Sequence, residues 1–189
     1  MNEETTLPEI YIAVDVEADG PIPGPYSMLS LGMAVVGRQD LSFYTELKPI
    51  SDNYVAAALA VAGLDRQKLL QEAPEARLAM QTAYDWINSL RRIGRPVFLA
   101  GPAVWDGMFV HWYFINFLGK SPFGNTGSGI DLRSYWMGAT GCEWGASRKG
   151  KIKYQLGLSD LPHTHHAGED ARELAQVFEA MLQRQSDLV

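Results

Sequence analysis

Asp15 and Glu17 stand two residues apart at the end of Glu9 to Glu17, where Ile10, Ile12, Val14 and Val16 alternate with Tyr11, Ala13 and the two acids. Period-two alternation reads as a β-strand, so both carboxylates leave one face, roughly 7 Å apart at the backbone. The other face, Ile12, Val14 and Val16, fixes the register, because a slip of one residue would bury both acids. Neighbouring carboxylates repel unless a proton or a cation lies between them. Oxygen donors of this kind suit magnesium or manganese. Solvated charge at a strand end is the plain alternative.

Two further places offer matching chemistry. Asp106 precedes the apolar stretch Met108 to Leu118 and reads either as a helix N-cap or as an acid facing a site at a sheet edge. His163, His165 and His166 fall within four residues, and Asp170 follows His165 by five, on the first turn of the last helix. The histidines admit three readings: a zinc site, a general base drawing a proton from water, or capping and solvation. Against zinc stand the distance of the lone Cys142 and the lack of a helical His-x-x-x-His pair. Taken in order, four acids and one histidine are the parts of a two-metal phosphodiester hydrolase.

The elements that must position these residues are legible from pattern. Met28 to Val36 and Leu41 to Leu47 read as strands joined by a hairpin turn at Gly37-Arg38-Gln39-Asp40. Gly20 to Pro25, rich in proline, is a stiff loop. Ser51-Asp52 caps an alanine-rich helix, and Pro74 opens a longer one with Ala76, Ala79, Ala83, Ile87 and Leu90 on one face. Pro96 to Ala100 is a short buried strand, Met108 to Leu118 an enclosed helix, and Ile130-Asp131 a last short strand before another helix. Gly141 to Lys153 reads as irregular. The final helix carries Ala171, Leu174, Ala175, Phe178, Met181 and Leu182 on one stripe. Strands followed by interleaved helices and strands indicate an α/β sheet of mixed order.

Composition narrows the class. A chain of 189 residues is most simply one domain with a core over about 9–182. One cysteine excludes an internal disulfide framework, the acidic start Met1 to Glu4 resembles no signal peptide, and no apolar run spans a bilayer; a cytoplasmic protein is expected. A net charge of −6 argues against a broad basic coat for nucleic acid. It leaves room for a pocket whose acids hold divalent cations and so present positive charge to a phosphate.

In combination these residues resemble the DEDDh (DnaQ-like) group of 3′–5′ exonucleases. Asp15-Val16-Glu17 matches the first motif, Ala103-Val104-Trp105-Asp106 the second, and His165 to Asp170 the third, over about Glu9 to Leu182. The resemblance implies an RNase H-like fold, a mixed five-stranded β-sheet flanked by α-helices. It implies that Asp15, Glu17, Asp106 and Asp170 hold two Mg2+ or Mn2+ ions, that His165 deprotonates the attacking water, and that the partner is the 3′ end of a single-stranded nucleic acid. RNA or short oligoribonucleotides are the expected substrate, since no DNA-grasping segment is visible; a DNA exonuclease and a catalytically silent binder are the alternatives. Some details depart from the family. Ala18-Asp19-Gly20 leads into the proline-rich loop, expected as a lip over the terminal nucleotide with Asp19 near the sugar. Ala18, Met28 and Trp105 are expected close by, with core packing the stronger role for Trp105. Arg148, Lys149, Lys151 and Lys153 form a basic run that could meet backbone phosphates. Analogy with relatives, and exposed aromatics near Trp136 and Trp144, would permit a homodimer.

Overall fold

Strand β1, Glu9–Ala18, is the axis of the molecule. In the computed structural model, which describes residues 7–186, it lies at the centre of a five-stranded sheet of order β3-β2-β1-β4-β5. The start Met1 to Glu4 lies outside the described residues. β2, Met28–Val35, runs antiparallel to β1, and β3, Arg38–Glu46, antiparallel to β2. β4, Arg95–Ala100, and β5, Ile130–Asp131, are parallel to β1. This mixed sheet, flanked by helices, is the RNase H-like arrangement that the resemblance implies.

Two apolar layers hold the sheet. On one face Ile12, Val14 and Val16 meet Leu31, Met33 and Val35 beneath α3, Ala76–Leu90, and α4, Ala103–Leu118. On the other, Ala13 and Ala34 pack against Ala171, Leu174, Ala175 and Phe178 of α7, Ala167–Ser186, with Leu132 and Trp136 of α5, Leu132–Thr140. Strand alternation therefore places Asp15 and Glu17 on the α7 face, two and four residues beyond Ala13. Two shorter helices, α1, Ala56–Ala62, and α2, Arg66–Glu72, lead from β3 to α3.

Several sequence expectations need correction. The hairpin turn is tighter than Gly37 to Asp40: Val35 already faces Arg38, and Gly37 closes the turn at φ +74°, where a side chain would be strained. Ser51 does not cap α1; its hydroxyl donates to Pro25 O at 2.7 Å, and the helix starts behind Val55 without a side-chain cap. α4 begins at Ala103, so Asp106 sits inside its first turn rather than at the cap. The segment expected to be irregular contains a 3-10 turn, Trp144–Ala146, and α6, Lys149–Gln155. Tertiary contact makes that helix: Lys149 and Lys153 both donate to Glu173 on α7, so two cations of the basic run are internal. Trp136 is 1% exposed and belongs to the core, which leaves Trp144, with Arg133 stacked 3.5 Å over its ring, as the exposed aromatic of that pair.

Gly32 lets α7 approach. It faces Asp15 across the β1–β2 ladder, and a Cβ there would lie 2.0 Å from Ala167 O and 2.5 Å from Gly168 N. Both obstacles are backbone, so they cannot rotate aside. Gly32→Ala should therefore lower stability by about 1–3 kcal/mol in urea unfolding; an unchanged midpoint would mean that α7 does not bear on β2 as described.

Candidate active site

Three chain segments converge at the carboxyl end of β1. Past the Ala13–Leu99 pair, β1 and β4 part, and the Val16 N–H points at Asp106 Oδ1 of α4, 3.3 Å away. Asp106 is 2% exposed and thus spans the gap at the sheet edge. From the opposite layer, the first turn of α7 lowers Asp170, 1% exposed, onto the same place. Carboxylate oxygens of Asp15, Glu17 and Asp170 lie within 4.8 Å of one another. Three of the four expected acids meet directly, and Asp106 adjoins them through Asp15, whose charge raises its pKa.

Electrostatics explains what this gathering costs. Burial, with the Asp170 charge second, pushes the Asp15 carboxyl up to about 7, against a smaller opposing pull from Lys149. Burial, then Asp15 and Asp170, pushes Glu17 up to about 8. Asp106 is raised well above the ordinary range, by burial first and then by Asp15. Among the described residues no lysine, arginine or histidine forms an ion pair with Asp15 or Glu17. Acids held in this state fit a hard divalent cation, which takes carboxylate oxygens and removes their repulsion.

The histidines divide their work. Asp170 Oδ1 accepts from Thr164 N–H and Oδ2 from His165 N–H, each at 2.9 Å, so the acid orders the loop that precedes its own helix. This grip holds His165 at φ 56°, with an exposed side chain at the rim. His163 comes closer: its Nδ1 is 3.0 Å from Asp170 Oδ2 and 3.2 Å from Glu173 Oε2. His166, the nearest rival to His165 by spacing, stacks instead on Tyr44 at 4.3 Å, and its carbonyl accepts the Glu169 and Asp170 N–H groups.

Sequence reasoning missed the network behind these groups. Glu173, 3% exposed, accepts from Lys149 and Lys153 and lies 3.2 Å from His163 Nδ1. Its signal was present, since a residue three beyond Asp170 shares its helical face. A cavity of about 270 Å³, lined by Ser30, Tyr44, Val61, Leu64, Thr164 and His165, was also missed. Its walls come from β2, β3, the α1–α2 turn and the histidine loop, and no local pattern joins those pieces.

The smaller substrate expectations fare differently. Asp19 cannot hold a sugar: it is fully buried, with Oδ1 accepting from Ser27 N–H at 2.6 Å and Oδ2 paired with Arg66 Nε at 3.1 Å. That pair fastens the proline-rich loop to α2. The side chains of Ala18, 4% exposed, and Met28, fully buried, belong to the core. Trp105 is half-buried and tilts onto Phe109 at 5.2 Å, a packing role.

Comparison with known proteins places this geometry. The chain is 36% identical over 171 residues to Cap18, a 3′–5′ DNA exonuclease of Escherichia coli, and the match covers 90% of each chain. Its fold matches the nuclease domain of 3′hExo, a DEDDh family member solved with rAMP, with a TM-score of 0.75, 12% identity and coverage of 97% of this chain and 95% of that one. It also matches E. coli exonuclease I in complex with a dT13 oligonucleotide, with a TM-score of 0.71, 14% identity and coverage of 95% of this chain and 42% of the other. The two structural likenesses speak to the fold alone. No family model matches the chain.

The raised carboxyls set a pH dependence. In the unfolded chain these acids ionise near pH 4, whereas in the metal-free fold Asp15 and Glu17 keep their protons to about 7 and about 8. The fold binds more protons, so its stability falls as pH rises through that window and levels off above it. Melting temperature in chelator should decline from about pH 5 to about pH 8. Asp15→Asn should raise the value at the alkaline end by about 2–4 °C for each kcal/mol of repulsion relieved. A flat profile shared by both proteins would contradict the described electrostatics.

Proposed function

Because the chain belongs to the DnaQ-like DEDDh family of 3′–5′ exonucleases, we propose that it removes nucleotides one at a time from the 3′ end of single-stranded nucleic acid. In this reading Asp15, Glu17, Asp106 and Asp170 hold two Mg2+ or Mn2+ ions, and His165 is the general base. The observation that carries it is the meeting of Asp15, Glu17 and Asp170 oxygens within 4.8 Å, where burial and mutual charge raise the Asp15 and Glu17 carboxyls to about 7 and about 8.

When bound, a pair of divalent ions supplies positive charge to the attacking and leaving oxygens of an in-line displacement. The protein's own groups do the rest. Asp106, tied to the Val16 N–H, and Asp170, tied to the Thr164 and His165 N–H groups, are fixed before substrate arrives. The His165 side chain, at the rim and in the wall of the cavity, takes the proton from the attacking water. Val61 and Leu64 offer an apolar wall to a terminal base, with the Tyr44 ring and the Ser30 hydroxyl completing the same cavity. The products are a nucleoside 5′-monophosphate and a strand shorter by one.

DNA is the first substrate to test. The expectation of RNA rested on a chain without DNA-grasping segments, yet the Cap18 relative, matched over 90% of its length, is a DNA exonuclease. A short chain therefore does not favour RNA. RNA, the substrate class expected from the sequence, is the second reading. A silent binder is disfavoured because the chain carries all five residues of the motif set. Among the described residues no helix is long and apolar enough to cross a membrane.

The test uses matched DNA and RNA oligomers labelled at the 5′ end, with magnesium, manganese or chelator. Wild type should produce a ladder descending from the 3′ end with metal and nothing with chelator. His165→Ala should lower kcat by about 10²–10⁴-fold. Chelator-resistant activity, or an unaffected His165→Ala, would overturn the mechanism.

A further inference from the structure

We propose that His163, His165 and Asp170 form a second, zinc-selective site that shares Asp170 with the catalytic cluster, and that zinc bound there switches the exonuclease off. One donor atom from each of the three lies within 4.8 Å of the other two. The imidazoles meet edge to face at 4.7 Å between centroids, and His163 Nδ1 is 3.0 Å from Asp170 Oδ2. The His163 side chain is 40% exposed and His165 is exposed, so an ion from solvent reaches both.

The donor types set the selectivity. Two imidazoles and one carboxylate, with a position open to water, make a set suited to zinc. Magnesium prefers an all-oxygen shell and gains little from nitrogen donors. Asp15, Glu17 and Asp170 offer oxygen alone, so one chain presents two donor sets of different hardness that meet at Asp170.

The ligands are also held in advance. The N–H bonds from Thr164 and His165 to Asp170 fix the loop between the histidines. Glu173 Oε2, 3.2 Å from His163 Nδ1, keeps that imidazole beside Asp170 in the metal-free fold. One cation opposes the ion: Lys149 Nζ lies 3.1 Å from His163 Nδ1, though it is held at 2.7 Å by Glu173. Zinc seated here occupies Asp170 and ties down His165. The inhibitory half of the proposal rests on the functional reading above; the binding half does not.

The experiment titrates zinc into the full chain against a chromogenic chelator, without nucleic acid, for wild type, His163→Ala and Asp15→Asn. His163→Ala should weaken zinc binding about tenfold or more, and Asp15→Asn should leave it within about twofold. Circular dichroism checks folding, and His163→Gln replaces the alanine variant if that one unfolds. Zinc binding lost in Asp15→Asn, or untouched by the His163 variants, would overturn the site. In a second arm, zinc is added to the magnesium-supported reaction of wild type and the His163 variants, each normalised to its own zinc-free rate. The inhibitory zinc concentration should rise about tenfold or more in the His163 variants; the same value in all proteins would overturn the inhibition. A wild type inactive in every metal would refute the exonuclease reading, while the binding arm would still decide the zinc site.

Discussion

Repulsion among carboxylates that have no cation of their own is the constraint on which the rest of this structure turns. The contrast with Asp19 makes the point. That residue is fully buried and is neutralised in the ordinary way, by Arg66 and a backbone N–H. Among the described residues Asp15 and Glu17 receive no such partner, although Lys149 and Lys153 lie in the neighbouring helix. Those lysines are spent on Glu173 instead, one turn along α7 from Asp170. The fold thus neutralises Asp19 and Glu173 with cations and gives none to Asp15 and Glu17 among the described residues. Apolar packing on both sheet faces supplies the free energy that holds them together.

Geometry follows from the same constraint. Asp15 and Glu17 can share a face with Asp170 only because the β1 register sends Ile12, Val14 and Val16 the other way. α7 can bring Asp170 down only where Gly32 leaves room beside Asp15. Asp106 joins because the parting of β1 from β4 frees the Val16 N–H for its carboxylate. Each of these is set by the backbone, which gives the proposed metal-holding site one geometry.

What could be read from the sequence followed the range of each interaction. The acids of β1 were legible because strand periodicity and a fully apolar opposite face are local signals. The carboxyl-terminal motif was legible through its five-residue spacing onto a helical first turn. Contacts joining distant segments were not. Asp19 looked like a substrate residue because its partner, Arg66, lies 47 positions away. The basic run looked like an irregular segment free to meet phosphates because its helix depends on Glu173, 20 positions beyond Lys153. Ser51 looked like a cap because nothing nearby announced its bond to Pro25. Trp136 looked exposed because one aromatic in a mixed segment does not report its own burial.

Counting manganese ions tests the central claim most directly. Titration calorimetry with Mn2+, in the presence of a nucleoside 5′-monophosphate, should give two ions per chain for the wild type. The paired change of Asp15 and Asp170 to asparagine should abolish that binding while the fold survives. One ion or none in the wild type, or a stoichiometry that the paired change leaves untouched, would contradict the account.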